Sequence, residues 1–219
     1  MSRYLLLTAL ILALNGCVTT PELSEQITDE SHDRWAQRQQ KLSSVHNWEI
    51  RGRVALFAGD DVYNLGLSWI LEENHSTLKL EAALGQGMIQ LEKNKTAVTL
   101  TTTKGETYFG ENAEQVLLQS TGWSIPVEGL ESWIKGINHN NSEYFPDIDS
   151  AGRARSLRQD DWKINYLKYE KTTADGQNNL ELPQKIYMKR QNLALKIVID
   201  QWQAQQNTSA SEIFPTFKD

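Results

Sequence analysis

Apolar and polar residues alternate along a series of short segments that begins at Trp48. In the first segment Trp48, Ile50, Val54 and Leu56 are apolar, and charged residues stand between several of them. A period of two is typical of a β-strand with one buried face. The same alternation recurs in residues 65–71, 77–82, 89–91 and 97–100, with turn-forming residues between the segments. Short alternating strands joined by turns predict an antiparallel meander, curled into a sandwich or a barrel.

Two segments with helical spacing interrupt the meander. The first is predicted to begin at Asn112 or Glu111 and to end at Gly122, and the second to run from Pro126 to Gly136. Each carries a stripe of apolar residues that must be buried against another element. The inner face of the curled sheet is the expected partner for both helices.

Strand-like alternation resumes at residue 153 and continues to about Trp202. Its clearest parts are residues 162–166 and 193–199. Because proline lacks an N–H group, Pro183 is predicted to lie only in an edge strand or at the start of a strand. The chain is therefore predicted to be mainly β, with roughly ten strands and helical inserts in one domain.

Composition excludes several classes of protein. The chain has 219 residues, of which 39% are hydrophobic and 23% charged, so it has the material for a core and no signature of disorder. A formal net charge of -6 argues against a nucleic-acid partner. One cysteine cannot form an internal disulfide. No apolar stretch approaches the ~20 residues that a membrane-spanning helix needs.

The first 17 residues predict export and lipidation. Arg3 precedes an apolar run over residues 4–14 that is too short to span a bilayer, as in a secretory signal peptide. Residues 14–17, Leu-Asn-Gly-Cys, resemble the bacterial lipobox, which implies lipid attachment at Cys17. An ordinary signal peptide followed by a stray thiol is the alternative. By resemblance to the known sorting rule, Val18 favours delivery to the outer membrane.

The chain is accordingly divided into four parts. Residues 1–16 are the predicted signal peptide, and residues 17–31 a lipidated, polar tether. Residues 32–202 are the predicted folded domain, which begins with an amphipathic helix near residues 31–45 that Ser31 or Asp33 can cap. Residues 203–219 are a polar tail.

The chain offers little catalytic chemistry. Its four histidines (His32, His46, His75 and His139) are scattered, with no metal-ligand spacing. It contains no nucleophile elbow and no phosphate-binding loop. Adjacent carboxylates, as at Asp60 and Asp61, stand at turns, where neighbouring side chains do not converge. We therefore expect no enzyme activity, no metal and no cofactor.

The segments along the chain resemble the LolB family of outer-membrane lipoproteins. The resemblance covers Cys17 to about Trp202. The segments that show the resemblance are residues 48–55 (WEIRGRVA), 67–69 (LSW), 78–80 (LKL), 83–85 (ALG), 122–127 (GWSIPV), 130–136 (LESWIKG), 159–166 (QDDWKINY), 182–183 (LP) and 195–202 (LKIVIDQW). Their order behind a lipobox carries the match, since no single piece is diagnostic.

The resemblance implies an incomplete antiparallel β-barrel of roughly ten or eleven strands, with short helices forming a lid over an apolar cavity. It implies a monomeric, outer-membrane-anchored receptor that faces the periplasm. Such a receptor accepts lipoproteins, with their acyl chains, from the periplasmic carrier LolA and inserts them into outer-membrane lipid without ATP. It also places Leu84 on a loop that enters the membrane, although Ala83 stands where the family commonly has proline.

Strand phase and helix position indicate which side chains would line such a cavity. They are Leu56, Leu67, Trp69, Leu80, Leu91, Trp133 and Ile134. Two other functions stay open on the sequence alone. One is a lipid-anchored, lipocalin-like binding protein for another apolar ligand, and the other is a structural lipoprotein with a filled core.

Overall fold

The computed structural model describes residues 28–83, 87–140, 142–174 and 178–205, and it contains three helices and eleven strands in that part of the chain. The helices are α1 (Asp29–Ser43), α2 (Ala113–Thr121) and α3 (Val127–Trp133). The strands are β1 (Asn47–Ala58), β2 (Asp61–Glu72), β3 (His75–Ala82), β4 (Met88–Lys93), β5 (Val98–Thr102), β6 (Thr107–Gly110), β7 (Tyr144–Ile148), β8 (Ala154–Gln159), β9 (Trp162–Ala174), β10 (Asn178–Arg190) and β11 (Leu193–Gln205).

All eleven strands form one antiparallel sheet in the order β6-β5-β4-β3-β2-β1-β11-β10-β9-β8-β7. Every neighbouring pair except β1 and β11 is joined directly along the chain, so the sheet consists of two meanders that meet at that pair. The sheet is open, because β6 and β7 stand at its two edges. The predicted fold class, a mainly β, incomplete barrel with short helices, is confirmed.

The sheet curves around one apolar core. Buried side chains from both meanders and from all three helices belong to a single cluster. In β1 the buried residues Trp48, Ile50, Val54 and Leu56 alternate with more exposed neighbours, as predicted. Because each strand turns one face inward, the outer face carries mainly polar and charged residues, with a few exposed apolar side chains such as Leu167 and Phe145.

The junction of the two meanders depends on Gly52. The pairing of β1 with β11 shifts register between Arg51 and Gly52. A Cβ atom built on Gly52 would lie 2.1 Å from the carbonyl oxygen of Val198, which no side chain can tolerate. Glycine is therefore required at this β-bulge, where the two backbones approach each other closely.

Helix α1 begins earlier than predicted. Thr28 is its N-cap, and Ser31 completes a capping box in which each side chain accepts a hydrogen bond from the other residue's N–H. The prediction that Ser31 or Asp33 caps the helix was therefore wrong. Residues 29–31, which were included in the predicted tether, lie in the helix.

Two arginine side chains that pack on the ring of one tyrosine help to hold α1 against the sheet. Arg38 of α1 donates a hydrogen bond to the carbonyl oxygen of Glu181 and lies 5.3 Å from the centre of the Tyr169 ring. Arg153 lies 5.5 Å from the same ring and forms a 2.6 Å ion pair with Asp149. Tyr169 thus lies in contact with two guanidinium groups, an arrangement that favours cation–π attraction.

Two other predictions need correction. Pro183 lies inside β10, between β9 and β11, and not in an edge strand or at a strand start. It is accommodated because the pairing of β10 with β9 shifts register just after it, where the regular hydrogen-bond ladder is broken.

The last strand continues to Gln205, so residues 203–205 of the predicted tail belong to β11. No helix in the described ranges has the length and apolar character needed to cross a membrane.

Candidate functional site

Helices α2 and α3 cover part of the inner face of the sheet, and we call α2, residues 122–126 and α3 the helical cover. Asn112 caps α2 by accepting a hydrogen bond from the N–H of Gln115 at 2.9 Å. Gly122 ends this helix with a φ of 80°, a left-handed conformation that suits glycine. Pro126 then precedes α3. The predicted start and end of α2 and the start of α3 thus agree with the structure, whereas α3 ends at Trp133, three residues before the predicted Gly136.

The seven residues predicted to line a cavity are all buried in the apolar core to which the helical cover also contributes. Each is at most 8% exposed, and all belong to the single core cluster. Five come from strands β1 to β4, Trp133 is the last residue of α3, and Ile134 follows it as the C-cap. None of the five clefts found among the described residues is lined by any of them. All seven side chains therefore belong to the buried apolar interior, and their role in lining a cavity stays a prediction.

Trp133 connects the helical cover to β8 and β9. Its indole N–H donates to Oε1 of Gln159 at 2.9 Å, and its carbonyl oxygen accepts from the hydroxyl of Tyr166 at 3.0 Å. Its ring lies 6.1 Å from that of Trp162. Gln159 is itself buried and also accepts from the N–H of His139 at 2.9 Å. Sequence reasoning did not identify Gln159, because a buried glutamine carries no periodic signal.

The first helix of the cover is held to the sheet by an ion pair. Nη2 of Arg190, at the end of β10, lies 2.8 Å from Oε1 of Glu114 and also donates to the carbonyl oxygen of Ser124 at 2.6 Å. Burial raises the pKa of the Glu114 carboxyl, but hydrogen bonds from Ser124 and Arg190 outweigh it and hold that pKa below its ordinary value. The Arg190 guanidinium also lies 4.9 Å from the centre of the Trp162 ring.

The second helix is held by two lysines. Nζ of Lys93, on β4, lies 2.9 Å from Glu131 and 3.7 Å from Glu128 of α3. Lys135, just after α3, is buried and donates to the carbonyl oxygen of Val45 at 3.2 Å. Burial lowers the pKa of the Lys135 ammonium to about 8, against the attraction of Glu131. Lys135 thus ties the helical cover to the segment that follows α1.

Apolar side chains continue onto the rim of the sheet. Tyr63, near the turn between β1 and β2, packs against Trp123 of the helical cover with ring centres 5.1 Å apart. Its neighbour Val62 is 54% exposed. Large apolar side chains at a rim suit a site that handles apolar partners.

Two predicted functional residues lie outside the described residues. Cys17 precedes residue 28, and Leu84 falls between Ala83 and Gly87. Ala83 is described and exposed. The N–H of Ala82 donates to the carbonyl oxygen of Gly87 at 2.8 Å, so this hydrogen bond closes the base of the segment that contains Leu84. Both residues remain predictions.

The described residues contain no cluster of three or more histidine, cysteine, aspartate or glutamate side chains that could hold a metal ion. The described residues form an open antiparallel half-barrel. It has an apolar interior and a helical cover that is held in part by ion pairs.

Comparison with known proteins identifies the family. The family model described as Outer membrane lipoprotein LolB matches residues 46–202. The protein named Outer-membrane lipoprotein LolB of Pseudomonas syringae pv. syringae (strain B728a) is 30% identical over 203 residues, which are 92% of this chain and 96% of that protein. The one from Nitrosococcus oceani is 32% identical over 200 residues, which are 91% and 96%. The chain belongs to the LolB family.

A solved structure was also found. A DUF1329 family protein from Desulfovibrio piger is 8% identical, with a TM-score of 0.49, and the match covers 84% of this chain and 95% of that protein.

Proposed function

We propose that this protein is a receptor anchored to the outer membrane through Cys17, facing the periplasm. It accepts lipoproteins from the carrier LolA into its apolar interior and inserts them into the membrane without ATP. Membership of the LolB family supports this proposal. The observation that carries it is the apolar interior covered on one side by two short helices, because such a cover can move without unfolding the sheet.

The apolar character of the interior suits the physical task. A lipoprotein with three acyl chains carries on the order of 40 methylene groups, and exposing each to water costs roughly 0.8 kcal/mol. Crossing an aqueous space without shelter therefore costs tens of kcal/mol. Buried apolar residues contributed by both meanders can replace the membrane as the environment of those chains.

Loading requires the helical cover to move. Trp133 and Ile134, which are fully buried, occupy the interior in the present structure. Acyl chains that enter between the cover and the sheet can substitute for these contacts, since one apolar surface replaces another. The contacts that must break are then chiefly polar: the ion pair of Arg190 with Glu114 and that of Lys93 with Glu131.

Release needs a bias toward the bilayer. Leu84, on the segment closed by Ala82 and Gly87, can contribute roughly 1.5–3 kcal/mol when its side chain enters lipid. This is enough to bias delivery and too little to anchor the protein. The lipid on Cys17 keeps the receptor at the destination membrane, because several acyl chains together bind almost permanently.

A handover assay tests the proposal. The lipidated protein is placed in phospholipid vesicles and mixed with carrier that holds a radiolabelled lipoprotein, and the vesicles are recovered by flotation. We expect label to move into vesicles that contain the receptor and to stay with the carrier when the vesicles lack it. Label that stays with the carrier in both cases would overturn the proposal.

The lipocalin-like alternative predicts a different cargo. Lipid extraction of the purified protein followed by mass spectrometry distinguishes the two functions. A receptor releases no tightly held small ligand but loads lipoprotein, whereas a binding protein for another apolar molecule releases that molecule.

A further inference from the structure

The outer face of the second meander carries an unusual row of positive charges. The register places Arg158 of β8 opposite Lys163 of β9, and Lys163 opposite Lys189 of β10. All three side chains are exposed. Like charges directly opposite each other on one face of a sheet repel and destabilise the pairing. A row of three in a chain of net charge -6 therefore needs a reason.

Two further lysines extend the row into a patch. Lys196 of β11 lies opposite Tyr187, two residues along the strand from Lys189, and Lys185 lies opposite Val198. Both lysines are exposed and stand on the same face of the sheet. We call Arg158, Lys163, Lys185, Lys189 and Lys196 the basic patch. None of the five forms an ion pair with another of the described residues.

Neighbouring carboxylates compensate the positive charge at one end of the patch only. Asp147, Glu170 and Asp200 are already paired with Arg155, Lys168 and Arg53. Glu143, Asp160 and Asp161 are exposed around one end of the patch, in a cleft that Arg158 and Lys163 also line. The positive charge is therefore strongest over β10 and β11, away from that end.

Exposed apolar side chains lie among these cations. Leu167, on β9, is 58% exposed, and Phe145, on β7, is 50% exposed. The guanidinium of Arg158 lies 5.2 Å from the centre of the Phe145 ring. Cations interspersed with apolar side chains suit a surface that contacts both the headgroups and the upper acyl region of a bilayer.

We propose that the basic patch binds the anionic headgroups of the phospholipid membrane to which the protein is anchored, so that the half-barrel lies with the outer face of β8–β11 against the bilayer. This inference rests on the proposed function, since that function supplies the anchor. Eleven residue steps separate Cys17 from Thr28, which limits their separation to about 40 Å. The lipid anchor therefore keeps the start of α1 within about 40 Å of an anionic surface, which makes the bilayer the partner that we assign to the patch.

The position of the patch fits the predicted membrane loop. Lys196 and Val198 line the same shallow cleft on the outer face as Ala82 and Ala83, which immediately precede Leu84. A body that lies on its basic patch thus brings the base of that loop toward the same surface. The contact orients the receptor, while the lipid on Cys17 supplies the attachment.

Amine footprinting of the lipidated protein in vesicles tests the proposal. The protein is placed in vesicles of phosphatidylcholine alone or with equal parts of phosphatidylglycerol, and acylation of each lysine by a membrane-impermeant reagent is followed by mass spectrometry. An attraction of about 1 kcal/mol between each cation and the anionic membrane corresponds to an about fivefold change in the ratio of membrane-bound to free side chain. We expect Lys163, Lys185, Lys189 and Lys196 to react about fivefold more slowly in the anionic vesicles, and high salt to remove the difference. The exposed Lys95 and Lys104 serve as internal controls that react equally in both.

Matched charge reversals sharpen the test. The double variant Lys163→Glu, Lys189→Glu should abolish the protection of Lys185 and Lys196. The variant Lys95→Glu, Lys104→Glu, with the same change in net charge, should keep it. Equal rates for the four lysines in neutral and anionic vesicles would overturn the proposal. Protection that requires added carrier protein would also overturn it and would assign the patch to a protein partner.

The same experiment distinguishes a failure of this inference from a failure of the proposed function. A chain that does not float with neutral vesicles lacks its anchor, which contradicts the proposed function. A chain that floats and shows the footprint but takes up no lipoprotein contradicts only the handover.

Discussion

The guanidinium of Arg190 lies 2.8 Å from the carboxylate of Glu114, and this contact joins the C-terminal end of β10 to the first turn of α2. The two residues are 76 positions apart in the chain. Because both side chains are mostly shielded from water, the contact is stronger than an exposed surface ion pair. It is one of the polar contacts that fasten the helical cover to the rest of the molecule, with those of Lys93 and Lys135.

Removing this contact should loosen the cover. We expect Arg190→Met to lower the free energy of unfolding by about 1–3 kcal/mol, the cost of losing a partly buried, charge-assisted hydrogen bond. The same variant should take up an apolar fluorescent probe faster than the unaltered protein. Arg51→Met is the matched control, since Arg51 is exposed and pairs with Glu49 on its own strand. Unchanged uptake in Arg190→Met would show that this contact does not hold the cover closed.

Lys135 should give the protein a distinctive dependence on pH. Its folded-state pKa of about 8 lies below its ordinary value of 10.5, so the unfolded chain binds more protons between these two values. Stability contributed by this group therefore rises as the pH increases from 8 to 10, on the order of 2 kcal/mol. Urea unfolding at several pH values measures it. In Lys135→Met that rise should disappear, and equal slopes for the two proteins would contradict the buried, weakly basic ammonium.

Leu84 should matter for delivery and not for loading. We expect Leu84→Glu to accept lipoprotein from the carrier at the normal rate but to transfer it to vesicles poorly, because a carboxylate does not enter lipid. Leu84→Met keeps an apolar side chain of similar size and serves as the control. The flotation assay, sampled before and after transfer to vesicles, separates the two steps. Normal delivery by Leu84→Glu would remove this residue from the mechanism.

The basic row should cost the fold some stability. Replacing Lys163 by glutamate converts two repulsive cross-strand pairs, with Arg158 and Lys189, into attractive ones. We expect Lys163→Glu to raise the free energy of unfolding by about 0.5–1 kcal/mol in low salt, with less effect in high salt. Lys95→Glu, in the turn after β4, is the comparison variant. If Lys163→Glu instead lowers the free energy of unfolding, Lys163 is not repelled by Arg158 and Lys189 in the folded protein.

The sequence predicts the strands that have one buried and one exposed face. β1 and β11 are recognised because their apolar residues alternate, whereas the edge strands β6 and β7 are missed. Phe109 and Phe145 are exposed, and Tyr108 and Ile148 are the apolar residues that these strands turn toward the core, so the alternation is too short to recognise. Edge strands need less apolar material, since only one neighbour pairs with them.

The polar contacts at the helical cover are not predictable from the sequence. Glu114 and Arg190, or Trp133 and Gln159, come together only when the whole sheet has formed, and no local pattern links their positions. Pro183 was assigned to an edge because the regular ladder excludes proline, but a register shift beside it removes that objection. Side-chain identity alone indicates neither bulges nor long-range partners.

The two ends of the sheet, β6 and β7, are not hydrogen-bonded to each other in the described fold. A closed barrel has a circumference fixed by its number of strands and their stagger. This shell has no such constraint, because its two edge strands share no hydrogen bonds that would have to break for the curvature of the sheet to change. Under the proposed receptor function, we expect this freedom to let one framework shelter cargo of different bulk.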